Sequence, residues 1–352
     1  MTGRVVVNGR CLLRPVTGVE RYARQVLRHL PGPATVLKPG PSGTSVRGHW
    51  WEQVSLPRML DRDDLLWLPA NTGPLAVSGH VLSLHDASFL DHPSWFHPAV
   101  ALWYRALIPA LARRASLVIT DSEFSKSRLV ARLALPAGRV RVVQPGVDVD
   151  RFRRPPEDEI ERTLVRHGLD RPYFIFVGPA GRRKSYETLA GAWRMMPTTG
   201  KSLWLALAGE SGPTFPGAGP GSKPALVRHL GRVGDDELAA LYAGSLGLVH
   251  PSHYEGFGLP CLEALACGAR VLAADTPVAR EVLGSCARYF PATDQAKLAD
   301  LLGQVAAEGQ PSTGERRHGR EFARAYPWQR TAEGVWRVLA EARLAGRAER
   351  EW

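Results

Sequence analysis

The chain has 352 residues, of which 44% are hydrophobic, and a formal net charge of +11 at pH 7. This length exceeds what one hydrophobic core usually supports, and the apolar fraction suffices for two globular domains. No run has the length and purity of a membrane span, and the N-terminus lacks the apolar region of a signal peptide, so we expect a cytoplasmic protein. The basic surplus comes without a recognisable nucleic-acid module, so we expect no nucleic-acid partner.

Short β-branched strands alternate with amphipathic helices in the first half of the chain. The first buried strand is predicted at Val5–Val7, and a loop through Thr17 and Gly18 leads into a helix at residues 20–30. Asp121 and Ser122 are predicted to cap a helix that begins near Glu123. Further strands are predicted at Leu65–Leu68, Val81–Leu84, Leu117–Thr120 and Val140–Val143. This alternation predicts a parallel sheet with helices on both faces.

A second set of strands and helices follows a Pro- and charge-rich segment at about residues 145–160, which is typical of a linker. The Gly/Pro-rich tract at 211–224 is predicted to be a loop. Strands are predicted at Tyr173–Val177, Leu203–Ala208, Leu246–His250 and Arg270–Ala273. The sequence therefore predicts an α/β protein with one doubly wound domain at residues 1–155 and a second at 165–325.

Metal and disulfide chemistry are not expected. Two Asp-x-Asp sequences, at 61–63 and 148–150, formally match a metal motif, but the first lies in a polar run before a strand and the second in the linker. The spacing of the cysteines matches no zinc site and predicts buried, reduced thiols. The cysteines are Cys11, Cys261, Cys267 and Cys286. We expect no metal ion and no cofactor.

A basic loop follows the strand at Tyr173–Val177. The sequence FVGPAGRRKS at 176–185 places Arg183 and Lys184 close to the start of the next helix. An Arg offers a bidentate fork and a Lys offers a compact charge, and this combination suits a diphosphate at a helix N-terminus. Basic residues after a strand are also commonly just exposed, so the residues alone leave both interpretations open.

The most informative segment is VHPSHYEGFGLPCLEALACG at 249–268. Glu255 precedes two glycines at 256 and 258, and a short helix is predicted from about Pro260 to Ala266. Glu263 falls one turn into that helix, where its carboxylate can accept hydrogen bonds from a diol such as ribose. The helix N-terminus favours a phosphate or an electronegative sugar oxygen. A surface Glu before a core helix is the alternative that these residues leave open.

This segment resembles the signature of the retaining glycosyltransferases of family 4, in which Glu-Gly-Phe-Gly-Leu-Pro is followed by a second Glu and by Ala-Cys-Gly. Cys261 and Leu265 vary only its apolar positions. The resemblance extends over most of the chain and implies the GT-B fold, in which two Rossmann-like domains face a central cleft. It implies that Glu255 lies by the transferred sugar and that Glu263 holds the nucleotide ribose. The segment YPWQRTAEGVWRVL also resembles the C-terminal helix of the family, which implies that residues 326–352 form a helix that crosses back to the first domain.

The same resemblance assigns the basic loop to the donor diphosphate, through Arg183 and Lys184. Two positions depart from the family pattern: Pro179 stands where some relatives carry another Arg, and Ser185 stands where Asn or Gly is frequent. These departures leave open how much Arg182 contributes to binding the diphosphate.

Further site residues follow from the resemblance. His85, in LHD at 84–86, is placed beside the donor sugar as a hydrogen-bonding or polarising group. Arg232 and Val233, in HLGRVGDDEL at 229–238, are candidates for the nucleobase pocket, whereas the acidic residues after them are typical of a helix start. The other residues that the resemblance places at the donor are Gly18, Gly256, Phe257, Gly258 and Leu259.

The function that the resemblance implies is retaining transfer of a hexosyl group from a nucleotide-diphosphate sugar to a glycan or lipid-linked acceptor. The segment WWEQVSLPR at 50–58 resembles bacterial mannosyltransferase-like members and favours GDP-mannose. In the mechanism proposed for the family, the departing diphosphate accepts the acceptor's proton. The alternatives are a nucleotide-sugar epimerase on the same scaffold and a noncatalytic nucleotide-sugar binding subunit.

A stretch at 95–114 mixes Trp95, Phe96, Trp103 and Tyr104 with arginines at 105, 113 and 114. Such a stretch can dock at the inner face of the plasma membrane, beside a lipid-linked acceptor. A packed helix with a basic outer edge is the other interpretation.

Overall fold

The computed structural model describes residues 3–40, 46–179, 181–196, 203–209 and 226–348. The predicted loop at 211–224 lies outside the described residues. The chain divides into two compact units: unit 1 comprises Met1–Gly146 and Trp328–Trp352, and unit 2 comprises Val147–Pro327. No helix in the described part of the chain is long and apolar enough to cross a membrane.

Strands and helices alternate along both units. The strands are β1 (Val5–Asn8), β2 (Thr35–Leu37), β3 (Leu65–Leu68), β4 (Val81–Ser83), β5 (Leu117–Thr120), β6 (Val140–Val142), β7 (Tyr173–Val177), β8 (Trp204–Ala208), β9 (Val227–Gly231), β10 (Gly247–His250), β11 (Val271–Ala274) and β12 (Arg288–Phe290). The helices are α1 (Gly18–His29), α2 (Val46–Trp50), α3 (Leu56–Arg58), α4 (Ser88–Asp91), α5 (Pro98–Arg114), α6 (Glu123–Leu133), α7 (Glu157–Arg166), α8 (Tyr186–Met195), α9 (Asp235–Gly244), α10 (Leu259–Ala266), α11 (Pro277–Leu283), α12 (Gln295–Glu308), α13 (Thr313–Arg324) and α14 (Trp328–Ala348).

Unit 1 is built on a six-stranded parallel sheet with the order β2-β1-β3-β4-β5-β6. The residues of β1, β3, β4 and β5 are buried, as expected for strands covered on both faces. The C-terminal helix α14 belongs to this unit: the Trp336 ring packs where a side chain on Gly32 would lie, and Gly334 packs against Val143. A π-helical segment, Trp51–Ser55, joins α2 to α3.

Unit 2 is built on a second parallel sheet, with the order β12-β11-β10-β7-β8-β9. Its core contains Phe174, Leu205, Val249, Leu272 and Leu298. Unit 2 begins earlier than the predicted limit of 155, because the residues at 147–155 make their contacts within it. The amide of Val147 donates to the carbonyl of Tyr326, and Phe152 is buried.

Three strands were missing from the sequence prediction, namely β2, β9 and β12. All three are edge strands, and each is short or only partly buried. An edge strand carries mixed polar and apolar residues, so it lacks the continuous apolar run by which the central strands were recognised.

Each sheet has one point where the strand order reverses. In unit 1 the chain moves from β1 to β2 on one side and to β3 on the other, and in unit 2 it moves from β7 to β8 on one side and to β10 on the other. Ligands of doubly wound sheets bind beyond the carboxyl ends of the strands at such points. The loops after β7 and β10 are those that carry the two predicted donor-site motifs.

Candidate active site

A buried carboxylate and two cations meet at the reversal point of unit 2. The Nζ of Lys184 donates to Oε1 of Glu255 at 2.6 Å, and an Nη of Arg183 lies 3.3 Å from Oε2 of the same carboxylate. Lys184 and Glu255 are both buried, whereas Arg183 is partly exposed. The structure therefore brings together three of the predicted site residues, which lie on two loops about seventy positions apart in the sequence.

The backbone before α8 places these cations. Gly178 has a φ of +134°, and a Cβ at this position would lie 3.2 Å from Cε of Lys184, so the glycine leaves room for the lysine stem. Ser185, which precedes α8, has a φ of 49° in the left-handed region. Asn and Gly tolerate that region best, which accounts for their frequency at this position in the family pattern. The amide of His253 donates to the carbonyl of Arg183 at 3.2 Å and ties the two loops together.

Helix α10 begins at Leu259, one residue before the predicted start. Gly258 precedes it with a φ of +102°, a conformation that a residue with a side chain rarely adopts. Pro260 occupies the first turn, where its missing N–H costs nothing. Phe257 is buried and forms a T-shaped contact with the Tyr326 ring, and Glu263 is buried within the helix. The first turn of α10 thus presents its partial positive charge beside the Glu255 loop.

The charges in this cluster fix each other's protonation. Burial by itself raises the pKa of the Glu255 carboxyl, but the charges of Lys184 and Arg183 outweigh burial and hold this pKa well below its ordinary value. His250, at the end of β10, lies 3.6 Å through Nε2 from Oε1 of Glu255. Burial, followed by the charge of Lys184, lowers the pKa of His250 to about 4. At neutral pH Glu255 is therefore ionised and His250 is neutral.

The two residues predicted to contact the nucleobase directly follow β9. Arg232 is exposed and Val233 is half-buried, and their contact with a base stays a prediction. The acidic residues that follow do begin a helix, α9. Arg151 pairs with Asp235 at 3.1 Å, and Arg166 pairs with Glu237.

His85 lies in unit 1, at the carboxyl edge of the sheet after β4. Its Nδ1 is 3.0 Å from Oδ2 of Asp121, and its Nε2 is 3.0 Å from the carbonyl oxygen of Pro69. Burial lowers the pKa of His85, but the Asp121 carboxylate outweighs burial and raises this pKa above its ordinary value. Two acceptors on the two ring nitrogens fit an imidazolium. A contact between His85 and a donor sugar stays a prediction.

Two more predicted residues have local roles in unit 1. Gly18 is the first residue of α1, and a Cβ there would meet no atom within 4 Å. Its contact with the donor stays a prediction. Ser122 caps α6 as predicted, accepting from the amide of Ser125 at 3.1 Å. The prediction that Asp121 shares this capping is wrong, because its carboxylate faces His85 instead.

Sequence reasoning missed a buried polar network at the reversal point of unit 1. Glu52 accepts hydrogen bonds from Asn8 at 2.7 Å and Thr72 at 2.9 Å, and it pairs with the guanidinium of Arg10. His49 lies beside Arg10, with 2.9 Å between its Nε2 and an Nη. Asn8 ends β1, Arg10 follows it and Thr72 follows β3, so their place after strands was the only signal available.

Neither of the two Asp-x-Asp sequences is predicted to bind a metal ion. Asp61 bonds the guanidinium of Arg4, and Asp148 accepts from the amide of Arg151. Within the described ranges, no group of three or more His, Cys, Asp or Glu side chains is arranged to hold a metal ion. The cysteines are free thiols. Cys11, Cys261 and Cys267 are buried as predicted, whereas Cys286 is only half-buried.

The fold is shared with known structures over nearly the whole chain. HepE of Anabaena, solved in complex with UDP and glucose, matches 97% of this chain and 100% of its own, with a TM-score of 0.72 and 18% identity. WaaG, a glycosyltransferase involved in lipopolysaccharide biosynthesis, matches 95% of this chain and 99% of its own, with a TM-score of 0.70 and 15% identity. The two parallel six-stranded sheets define a protein of the GT-B fold.

Sequence comparison gives the family. The family model Glycosyltransferase Family 4 matches residues 31–151, and Glycosyl transferases group 1 matches residues 158–321. The chain is 34% identical to the D-inositol 3-phosphate glycosyltransferase of Frankia alni across 92% of this chain and 90% of that protein. It is 31% identical to the O-antigen chain mannosyltransferase B of Escherichia coli across 60% of this chain but only 57% of that relative. The chain belongs to glycosyltransferase family 4 and is a glycosyltransferase.

Proposed function

We propose that this enzyme moves a hexosyl group, with retention, from a nucleotide-diphosphate sugar to a glycan or lipid-linked acceptor. Unit 2 binds the donor in this proposal, and unit 1 binds the acceptor. The observation that carries the proposal is the cluster of Lys184, Arg183 and Glu255 at the reversal point of unit 2, beside the first turn of α10. Two cations and a helix N-terminus suit a diphosphate, and the buried carboxylate suits the sugar attached to it.

The chemistry follows from the charges of these groups. The bond between the anomeric carbon and the diphosphate oxygen breaks, and Lys184 and Arg183 stabilise the negative charge that grows on the leaving group. The acceptor hydroxyl bonds to the same face of the anomeric carbon, and its proton passes to the departing diphosphate. Glu255 accepts hydrogen bonds from the sugar, and Glu263 accepts them from the ribose hydroxyls. The proposed task of His85 is to polarise the sugar by its charge rather than to act as a base, because Asp121 and the carbonyl oxygen of Pro69 engage both of its ring nitrogens.

GDP-mannose is the donor we favour. The support is the segment at 50–58, together with the mannosyltransferase among the relatives. A panel of nucleotide sugars tests it through thermal stabilisation, because among ligands at one concentration that bind only the folded state, the tightest binder raises the melting temperature most. The largest shift is expected with GDP-mannose. A larger shift with a UDP-sugar overturns the choice of donor but leaves the transferase intact.

The two alternative functions are separated by product analysis. An epimerase converts the nucleotide sugar into its epimer without any acceptor. A binding subunit gains thermal stability when the donor binds but releases no nucleoside diphosphate. A transferase releases nucleoside diphosphate in step with sugar transferred to the acceptor. Only that third result supports the proposal.

Metal independence is part of the proposal, because the counter-charge of the diphosphate is assigned to side chains and to α10. Activity is expected to persist in excess EDTA. Loss of activity that Mn²⁺ or Mg²⁺ restores would overturn this assignment.

The acceptor side of the proposal includes peripheral contact with an anionic membrane through α5. One face of this helix packs into unit 1, through residues such as Leu107 and Leu111. Leu102, on the opposite face, is 73% exposed. Trp103 lies on the same side of the helix as Leu107 and is 39% exposed, with its ring packed against His49. Arg105, Arg113 and Arg114 are also exposed. Exposed apolar side chains with flanking arginines suit an anionic lipid surface near a lipid-linked acceptor.

Vesicle co-sedimentation at low and high salt tests this contact. Each arginine near the surface is expected to contribute about 1 kcal/mol, so a variant with Gln at 105, 113 and 114 should bind anionic vesicles much less at low salt. Equal binding by the two proteins, or binding by neither, would contradict the membrane contact.

A further inference from the structure

His250 is the one residue of the unit 2 cluster to which the proposed mechanism gives no task. It ends β10 and is buried, and within the described part of the chain its Nε2 has no hydrogen-bond partner. This nitrogen lies 3.6 Å from Oε1 of Glu255, beyond hydrogen-bond length, and 3.9 Å from where a Cβ on Gly258 would stand. A buried polar atom without a partner is rare in proteins and calls for a functional explanation.

Without a ligand, the charges around His250 favour the neutral form of its imidazole. Lys184 and Arg183, from the loop before α8, are the cations that face His250, and Glu255, from its own loop, is the anion. Lys184 holds Oε1 of Glu255 at 2.6 Å, so the carboxylate is already compensated. Cys261 on α10 shares this field, and burial raises the pKa of its thiol, which stays uncharged. Together these groups carry a net positive charge, which opposes protonation of His250.

A bound diphosphate adds negative charge beside His250 and so favours its protonation. Its negative charges compete with the single charge of Glu255 for Lys184, whose ammonium is a mobile point charge with three donors. Once Lys184 turns to the diphosphate, Glu255 is a buried carboxylate without its main partner, and His250 is the neighbour that remains. We propose that His250 replaces Lys184 as the cationic partner of Glu255 when a diphosphate binds, and that this exchange takes up one proton from solvent.

The proposal rests on the assignment of the diphosphate to Lys184 and Arg183. The proton adds to the unprotonated ring nitrogen of His250, and no other bond forms or breaks. Because the bound form carries the extra proton, nucleoside diphosphate should bind more tightly as the pH falls from about 7.5 towards 5.5. His250 is thus a positioning residue that keeps Glu255 ionised and in place beside the sugar.

Isothermal titration calorimetry with GDP and with UDP tests the exchange. Titrations at one pH in two buffers of different ionisation enthalpy give the number of protons taken up on binding. For the wild-type protein at pH 6.0 we expect about half a proton or more for the nucleotide that binds, since a protonatable imidazole beside anions returns at least to its ordinary pKa. Ionisation of the terminal phosphate opposes this uptake, so a variant without the imidazole provides the reference.

Two variants, His250→Asn and His250→Gln, keep a hydrogen-bond donor but cannot take up the proton. We expect both to lose the uptake, and the ratio of wild-type to variant affinity to rise roughly fivefold to tenfold between pH 7.5 and pH 5.5. His318→Asn, which changes an exposed histidine of the same unit, is the matched control and should behave like the wild type. Histidine-labelled wild-type protein gives a direct readout by NMR, in which GDP should convert one neutral imidazole to imidazolium.

The outcomes separate the two proposals. Absence of binding by either nucleotide would overturn the diphosphate site itself. Binding without proton uptake, or with the same uptake in His250→Asn, would overturn the exchange and leave the diphosphate site standing. Persistent uptake in that variant would place the proton on a group other than His250. If neither variant folds, the buffer dependence and the NMR titration of the wild-type protein still decide.

Discussion

The two sheets carry buried ion pairs at equivalent points, and the pairs differ in how completely they are satisfied. In unit 1, Glu52 accepts from Asn8, Thr72 and Arg10, and the side chains of Arg10 and Glu52 are 3% and 1% exposed. In unit 2, Glu255 depends on Lys184 and on Arg183, whose side chain is 39% exposed, with an unpartnered His250 nitrogen nearby.

This difference suggests two roles: the Glu52–Arg10 network of unit 1 is a structural anchor, and the Glu255 cluster of unit 2 is a reactive site. The unit 1 network holds the helical segment at 46–58 to the sheet. Both oxygens of Glu52 accept hydrogen bonds there, although the buried Nε of Arg10 has no partner among the described residues. The unit 2 cluster can release its cations, because a partly exposed Arg and a flexible Lys lose little when they turn to another anion. Incomplete pairing costs stability, and proteins tolerate that cost where function needs it.

The largest effect should come from Lys184→Met, which keeps the stem but removes the charge. We expect kcat/KM to fall by about 10²-fold to 10³-fold, as when one donor to a developing anion is lost. The measurement is the rate of nucleoside diphosphate release with the preferred donor. Arg194→Met removes an exposed cation from α8 and is the control. Equal rates for the two variants would mean that the basic loop is structural.

Substitutions in the Glu52–Arg10 anchor should instead lower the stability of the protein. Glu52→Gln leaves the buried guanidinium of Arg10 without its carboxylate, and we expect it to lower the free energy of unfolding by about 3 kcal/mol or more. Glu255→Gln also leaves a buried cation, Lys184, without its carboxylate, but it should cost less stability because the lysine side chain is flexible and Arg183 can turn to solvent. It should remove most activity. Chemical denaturation of both variants checks this order. A greater loss of stability in Glu255→Gln would contradict the division into anchor and reactive site.

Glu263→Ala probes the ribose end of the unit 2 site. Loss of a charged hydrogen bond to ribose should weaken nucleoside diphosphate binding by roughly 1.5–3 kcal/mol, measured by calorimetric titration. Thermal unfolding of the variant without nucleotide provides the control for packing, since Glu263 is buried. Unchanged affinity in a folded variant removes the ribose assignment.

The smallest effect concerns the His85–Asp121 pair of unit 1. Asp121→Asn removes the charge that raises the pKa of His85, and we expect an NMR titration to show that this pKa falls. Because folding raises the pKa of His85, its contribution to stability is complete below about pH 6.5 and is lost as the pH rises through the folded value. The wild-type advantage over Asp121→Asn should therefore shrink at higher pH. An unshifted His85 would show that hydrogen bonding to Pro69 alone holds the imidazolium.

Much of the unit 2 site could be predicted from local sequence. Gly258, with its φ of +102°, and Pro260 determine a turn into a short helix, because few other residues adopt those backbone conformations. Central strands such as β7 and β10 were recognisable because strands covered on both faces are continuous apolar runs. The family signature then named Glu255, Lys184 and Arg183, but their mutual pairing appears in no local pattern.

Tertiary structure alone decided which polar residues meet. Asp121 has the sequence context of a helix cap yet pairs with His85 from the neighbouring strand, and His250 has the context of an ordinary strand end yet lies beside Glu255. Glu52 and Arg10 are 42 positions apart and join only because a helical segment packs over the end of β1. Local periodicity determines the burial of apolar faces, since each residue contributes independently to it. The pairing of charges depends on distances of a few ångströms between distant loops, which only the assembled sheets set.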